Sequence, residues 1–120
     1  MKMARGVGMH TPLRYAVLEH FTQMISLARP LAQAIHHKDR DLANQLRRAL
    51  NSAGLNIAEA FGNSGGNARV RFQSARGSLY EAQAGFRLAI AWGYITQAES
   101  APTLESLNDL GARVYGLSRT

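Results

Sequence analysis

The feature that most constrains this chain is a hydrophobic repeat of 3.6 residues, sustained through nearly its whole length and broken only at short turn signals. Thr11-Pro12 reads as a helix start, with threonine as cap and proline in the first turn. Leu18, Phe21, Ile25, Ala28, Leu31 and Ile35 then form one apolar stripe, with a kink expected between Ser26 and Pro30. His36-His37-Lys38 places positive charge at the helix end, where the dipole favours it. Asp39 and Asp41 supply acidic first-turn residues for a second helix with the stripe Leu42, Leu46, Ala49, Leu50, Ala53, Ile57, Ala60 and Phe61. Gly62 to Gly66 stops it, and a left-handed glycine is the expected device.

A third helix is predicted from about Asn67 to Trp92, with Phe72, Ala75, Leu79, Ala82, Phe86, Ala89 and Ile90 inward and Gly93 ending it. Tyr94 and Ile95 are expected to pack back on the bundle. Ser100-Ala101-Pro102 restarts a fourth helix, with Leu104, Leu107, Leu110, Val114 and Leu117 inward. No segment alternates with a strand period. Long amphipathic helices joined by short loops imply an all-α, antiparallel up-down four-helix bundle. The bundle is assigned to residues 12–118, and residues 1–11 are expected to form a disordered N-terminal arm.

A chain of 120 residues can build one such core without staples. The absence of cysteine excludes disulfides, iron–sulfur clusters and thiolate zinc sites. No run approaches the ~20 apolar residues that span a bilayer, and Met1 to Thr11 lacks a signal-peptide apolar run, so a cytoplasmic location is expected, with no membrane partner. The net charge is +6, and every basic residue except Lys2 and Lys38 is arginine. Arginine forks onto phosphate or carboxylate and stacks on flat rings, although a solvated arginine-rich surface accounts for the charge equally well.

The most specific text lies in the second and third helices. Gln45-Leu46-Arg47-Arg48-Ala49 is followed by Asn56-Ile57-Ala58-Glu59-Ala60, then Gly77-Ser78-Leu79 with Glu81, then Gly93-Tyr94-Ile95. In this order and spacing the set resembles the bacterial four helix bundle protein family, also called the 23S rRNA intervening-sequence protein family, from Tyr15 to Leu117. The resemblance implies an up-down bundle that assembles into a five-membered ring. Distant relatives are accessory variability determinants of diversity-generating retroelements, basic pentamers that bind a reverse transcriptase and nucleic acid. Other relatives are encoded within intervening sequences of ribosomal RNA genes, the nearer branch for this chain. Ala60 stands where the family carries glycine, so the second helix should continue through Phe61 to Gly62.

Helix geometry sorts the polar residues. Arg69, Arg76 and Arg87 fall within about 20° of one another, with Tyr80 and Gln83 on the same strip beside the apolar stripe. Such a strip serves phosphate contact and base stacking, or a subunit contact, or simply a solvated surface. Arg48, Ser52, Asn56 and Glu59 flank the second helix, and antiparallel pairing suggests ion pairs of Arg48 with Glu81 and of Glu59 with Arg69 or Arg71. Ala84, Gly85 and Ala91 lie off the third helix's stripe and suggest contact with another subunit. Trp92, Tyr94, Tyr115 and Tyr15 are assigned to core and subunit packing.

Catalysis is not expected. Glu59 and Glu81 differ in height by about eleven residues, on the order of 16 Å, whereas paired glycosidase carboxylates sit roughly 5–9.5 Å apart. There is no Glu-x-x-His pair of di-iron type, and His10, His20, His36 and His37 do not form a helix-face metal site. Gly62 to Gly66 lacks the Lys-Ser/Thr of a phosphate loop. The expectation is therefore a non-enzymatic homo-oligomeric scaffold, without cofactor or metal, whose basic surface binds RNA, DNA or a nucleic-acid enzyme such as a reverse transcriptase. The alternative is a protein-interaction ring with no nucleic-acid role.

Overall fold

The computed structural model describes residues 10–119, which form four helices: α1 (His10–Lys38), α2 (Arg40–Phe61), α3 (Gly65–Ala91) and α4 (Gln97–Ser118). Packing runs α1–α2, α2–α3, α3–α4 and α4–α1, closing an antiparallel up-down bundle; no strand occurs among the described residues. The expected N-terminal arm overlaps α1 at its last residues, and the rest of it lies outside the described residues. No described helix is long and apolar enough to cross a membrane.

The core follows the sequence stripes with one shift. In the first half of α1 the fully buried residues are Val17 and Met24, while Leu18 and Ile25, expected inward, are half-buried on its flank. Phe21, Ala28, Leu31 and Ile35 complete the inward face of α1. Leu46, Ile57, Leu79, Phe86, Leu107, Leu110 and Val114 fill the interior from the other helices. α1 passes through Pro30 as a single helix, so the expected kink does not interrupt the element.

The junctions show how side chains and backbone close the helix ends. Asp39 alone separates α1 from α2: its carboxylate accepts from the Leu42 amide at 3.0 Å and caps α2. The Tyr94 hydroxyl donates to the other oxygen of the same carboxylate at 3.2 Å, tying the α3–α4 connection to this corner. At the α2 end the expected left-handed stop is not at the cap, because Gly62 has φ −88°. The left-handed glycine is Gly65, φ +59°, which opens α3 two residues earlier than expected. Phe61 and Phe72 then meet edge to face at 5.4 Å and close that end of the hairpin.

α3 ends as expected at Gly93, φ +80°. The Gly93 amide donates to the Ile90 carbonyl and the Tyr94 amide to the Ala89 carbonyl, a Schellman closure. α4 begins at Gln97, ahead of the Ser100-Ala101-Pro102 start expected from sequence. Thr96 and Glu99 form a reciprocal capping box, and Pro102 sits inside the helix.

Close packing explains two glycines. A Cβ on Gly85 would lie 2.6 Å from Leu46 Cδ2, and one on Gly54 would lie 2.6 Å from Phe21 Cε2. Gly85, expected to face another subunit, is buried against α2 of its own bundle, while Ala84 and Ala91 are exposed.

Candidate binding groove between α3 and α4

α3 contributes Arg76, Leu79, Tyr80 and Gln83 at spacing i, i+3, i+4, i+7, which places all four on one helix flank. α4 presents Asn108, Gly111, Ala112 and Tyr115 at the same spacing. The two flanks enclose an open groove of about 310 Å³. Leu79 is buried between the helices, and Gly111 has nothing within 4 Å of where a Cβ would stand, so the middle of the groove is left open.

The Arg76 guanidinium lies 4.5 Å from the Tyr115 ring centre and 5.8 Å from that of Tyr80. Arg119 lies 5.4 Å from the Tyr115 ring and donates to its hydroxyl at 2.7 Å. Because α3 and α4 are antiparallel, Arg76 and Tyr115 share one end of the groove and Gln83 and Asn108 the other. No carboxylate is among the lining residues. Among the described residues, Arg76 makes ring contacts but no hydrogen bond or ion pair, and the amides of Gln83 and Asn108 have no side-chain hydrogen-bond partner.

The strip expected from sequence is thus divided. Arg76, Tyr80 and Gln83 share the groove. Arg69 borders a separate groove of about 260 Å³ near the hairpin, with Phe61, Phe72 and Leu117. Arg87 is exposed beyond both. Tyr115, assigned to packing, is instead 42% exposed in this groove. Asn108, Gly111 and Ala112 were not singled out by sequence, although their spacing mirrors that of the α3 flank. Trp92 and Tyr15 are also exposed, and Trp92 stacks on Tyr94 with ring centres 6.3 Å apart.

Of the two expected ion pairs, Glu59 meets Arg71, the alternative nearer in register, at 3.2 Å. Both side chains are about half exposed, so the pair is worth about 0–1 kcal/mol and mainly marks register. Arg48 and Glu81 form no ion pair among the described residues, and both are exposed. Both stand at the solvent-facing edge of the α2–α3 contact, where an exposed pair gains only about 0–1 kcal/mol and water solvates each charge as well. About one turn along, the helices are joined instead by the Ser78 hydroxyl donating to Ser52 Oγ at 2.9 Å.

α1 is tied to both neighbours through histidines. His36 Nδ1 lies 3.3 Å from Arg47 Nη1, and His20 Nδ1 lies 3.0 Å from Arg113 Nη1. Burial lowers the His20 pKa, the Arg113 charge lowers it further, and Asp109 opposes them. Among the described residues no three His, Asp or Glu side chains converge as a metal site would require.

The sequence from residue 18 to residue 116 matches the model of the 23S rRNA-intervening sequence protein family. The chain belongs to that family. The fold is shared with a protein of unknown function from the S23 ribosomal protein family of Bacteroides thetaiotaomicron, known from its crystal structure. The two are 17% identical, with a TM-score of 0.76, over 87% of this chain and 99% of the other. No curated protein matches the chain. The family's Gln45 to Ala49 text contains Leu46, packed against Gly85, and Arg47, bonded to α1, so much of it serves the bundle itself.

Proposed function

We propose that the protein is a non-enzymatic, cytoplasmic, homo-oligomeric scaffold whose basic surface binds nucleic acid. The observation that carries this reading is the α3–α4 groove: two arginines and two tyrosines gathered around a recess lined by no carboxylate. Guanidinium groups and aromatic faces are the two chemistries that recognise phosphate and base. The pentameric ring belongs to this proposal through the family resemblance, and a reverse transcriptase or another nucleic-acid enzyme is the partner class that the resemblance adds.

Binding to RNA and DNA oligonucleotides, measured by fluorescence anisotropy across a salt series, tests the reading. The expected result is affinity that falls steeply with salt, because each phosphate contact releases counterions. No binding at low salt would leave the second reading, a protein-interaction ring without a nucleic-acid role. That reading is favoured by the exposed apolar residues Leu55, Val70 and Leu88 on the outer faces of α2 and α3.

A further inference from the structure

We propose that the α3–α4 groove holds a single unpaired nucleotide, so that the protein prefers single-stranded nucleic acid to duplex. This rests on the nucleic-acid reading above and names the substrate class of its groove.

Three observations support it. First, the groove divides its chemistry along its length. Arg76 and Arg119 stand at the Tyr115 end and the primary amides of Gln83 and Asn108 at the other, seven positions and about 10 Å apart along the helices. That separation suits one nucleotide with its phosphate at the arginines and its base edge at the amides. Second, the middle of the groove is open. Gly111 leaves room above Leu79, while the Tyr80 ring, 62% exposed, offers a face on which a base can stack. Third, the polar groups are unspent: Arg76, Gln83 and Asn108 have no side-chain hydrogen-bond or ion-pair partner among the described residues, although Arg76 and Gln83 are half-buried. Open to solvent and not committed to protein partners, these donors and acceptors are free to bond a ligand.

Shape separates single strand from duplex. A duplex keeps its bases stacked inside and presents a convex phosphate surface, which reaches the arginines at the rim but not the tyrosine face or the amides. An unpaired nucleotide enters the recess and uses all of them. A primary amide donates and accepts side by side, so Gln83 and Asn108 can bond the hydrogen-bonding edge of a base.

The test compares one short RNA sequence, single-stranded and as duplex, with 2-aminopurine as a stacking reporter. Gly111→Leu fills the middle of the groove from a position where a Cβ meets no neighbour within 4 Å. Tyr80→Ala removes the ring from an exposed site. Circular dichroism checks that both variants keep the native fold, and solution mass checks their assembly. The expected result is that each variant weakens single-strand binding roughly 5- to 150-fold, the range associated with loss of one stacked base, and abolishes 2-aminopurine quenching. Duplex binding should change little. Equal wild-type affinity for the two forms, or unchanged single-strand binding by Gly111→Leu, would overturn the inference while leaving nucleic-acid binding intact. Absence of binding to either form at low salt would sink the nucleic-acid reading itself. A change in solution mass on filling the groove would identify it as a subunit contact and overturn the inference on separate grounds.

Discussion

Glycines in α3 have opposite meanings at two positions eight residues apart. At Gly85 a methyl group would enter the space held by Leu46, whose Cγ lies 2.9 Å from the Cβ position as well as Cδ2 at 2.6 Å. At Gly77 the same methyl group meets nothing within 4 Å. Alanine gains about 0.5–1 kcal/mol over glycine inside a helix, whereas overpacking costs about 1–3 kcal/mol. Urea unfolding should therefore show Gly77→Ala more stable than the parent by about 0.5–1 kcal/mol. Gly85→Ala should be less stable, by up to about 2 kcal/mol. His20 has its own signature. Its folded pKa lies below the ordinary value of 6.5, first through burial and then through Arg113. As pH falls, the unfolded chain takes up this proton before the folded one does. The favourable difference is fully present above about 6.5 and is lost as pH falls through the folded pKa. The unfolding midpoint should thus fall between pH 7.5 and pH 5, and His20→Gln, which preserves an acceptor for Arg113, should flatten that dependence.

At the scale of elements, the ends of α4 and α2 show how a few side chains decide where helices begin. Thr96 Oγ1 accepts from the Glu99 amide at 3.1 Å, and the Glu99 carboxylate accepts from the Thr96 amide at 2.7 Å. Thr96→Ala should lower the urea midpoint by an amount corresponding to about 1 kcal/mol, with native circular dichroism retained before the transition. The Thr-x-x-Glu text at 96–99 is legible in the sequence. The more conspicuous Pro102 draws attention to a later start, although a helix can carry it within its first two turns. Tyr94 shows a contact that no local pattern encodes, since its partner Asp39 is 55 residues away. Burial and then the Asp39 carboxylate raise the Tyr94 pKa above its ordinary value. Ionisation of Tyr94 therefore favours the unfolded chain, and stability should decline as pH rises above 10.

The whole molecule presents two different surfaces. Val70 and Leu88 each stand nine positions from the buried Leu79, and Leu55 stands nine from the buried Leu46. At 100° per residue nine positions are half a turn, so each points away from that buried leucine, with Leu88 bordering the α2–α3 groove beside Leu42. They are 58%, 52% and 68% exposed, which leaves three apolar side chains outward while the groove lies on α3's α4-facing flank. Under the scaffold proposal the outward face joins subunits and the groove remains free for ligand. The paired substitution Leu55→Glu and Leu88→Glu should then reduce the solution mass to that of a single chain, read by light scattering, with helical content unchanged. An unaltered mass would remove that face from the assembly.

Hydrophobic periodicity and short connections by themselves determined the four helices, their antiparallel order and most of the core, because a 3.6-residue stripe turns one side of each helix inward and a short loop reverses the chain. Periodicity also placed Arg76, Tyr80 and Gln83 on a common flank, since the angle between residues of one helix is set by the backbone. Tertiary structure decided everything that depends on the angle between helices. It shifted the inward face of α1 to Val17 and Met24 and turned Gly85 onto Leu46. It also brought Tyr115, Asn108 and Gly111 opposite the α3 flank to make a groove. Relative height along two antiparallel helices follows from counting residues. Relative rotation follows only from how their side chains interlock, and that rotation separates the candidate site from the rest of the basic surface.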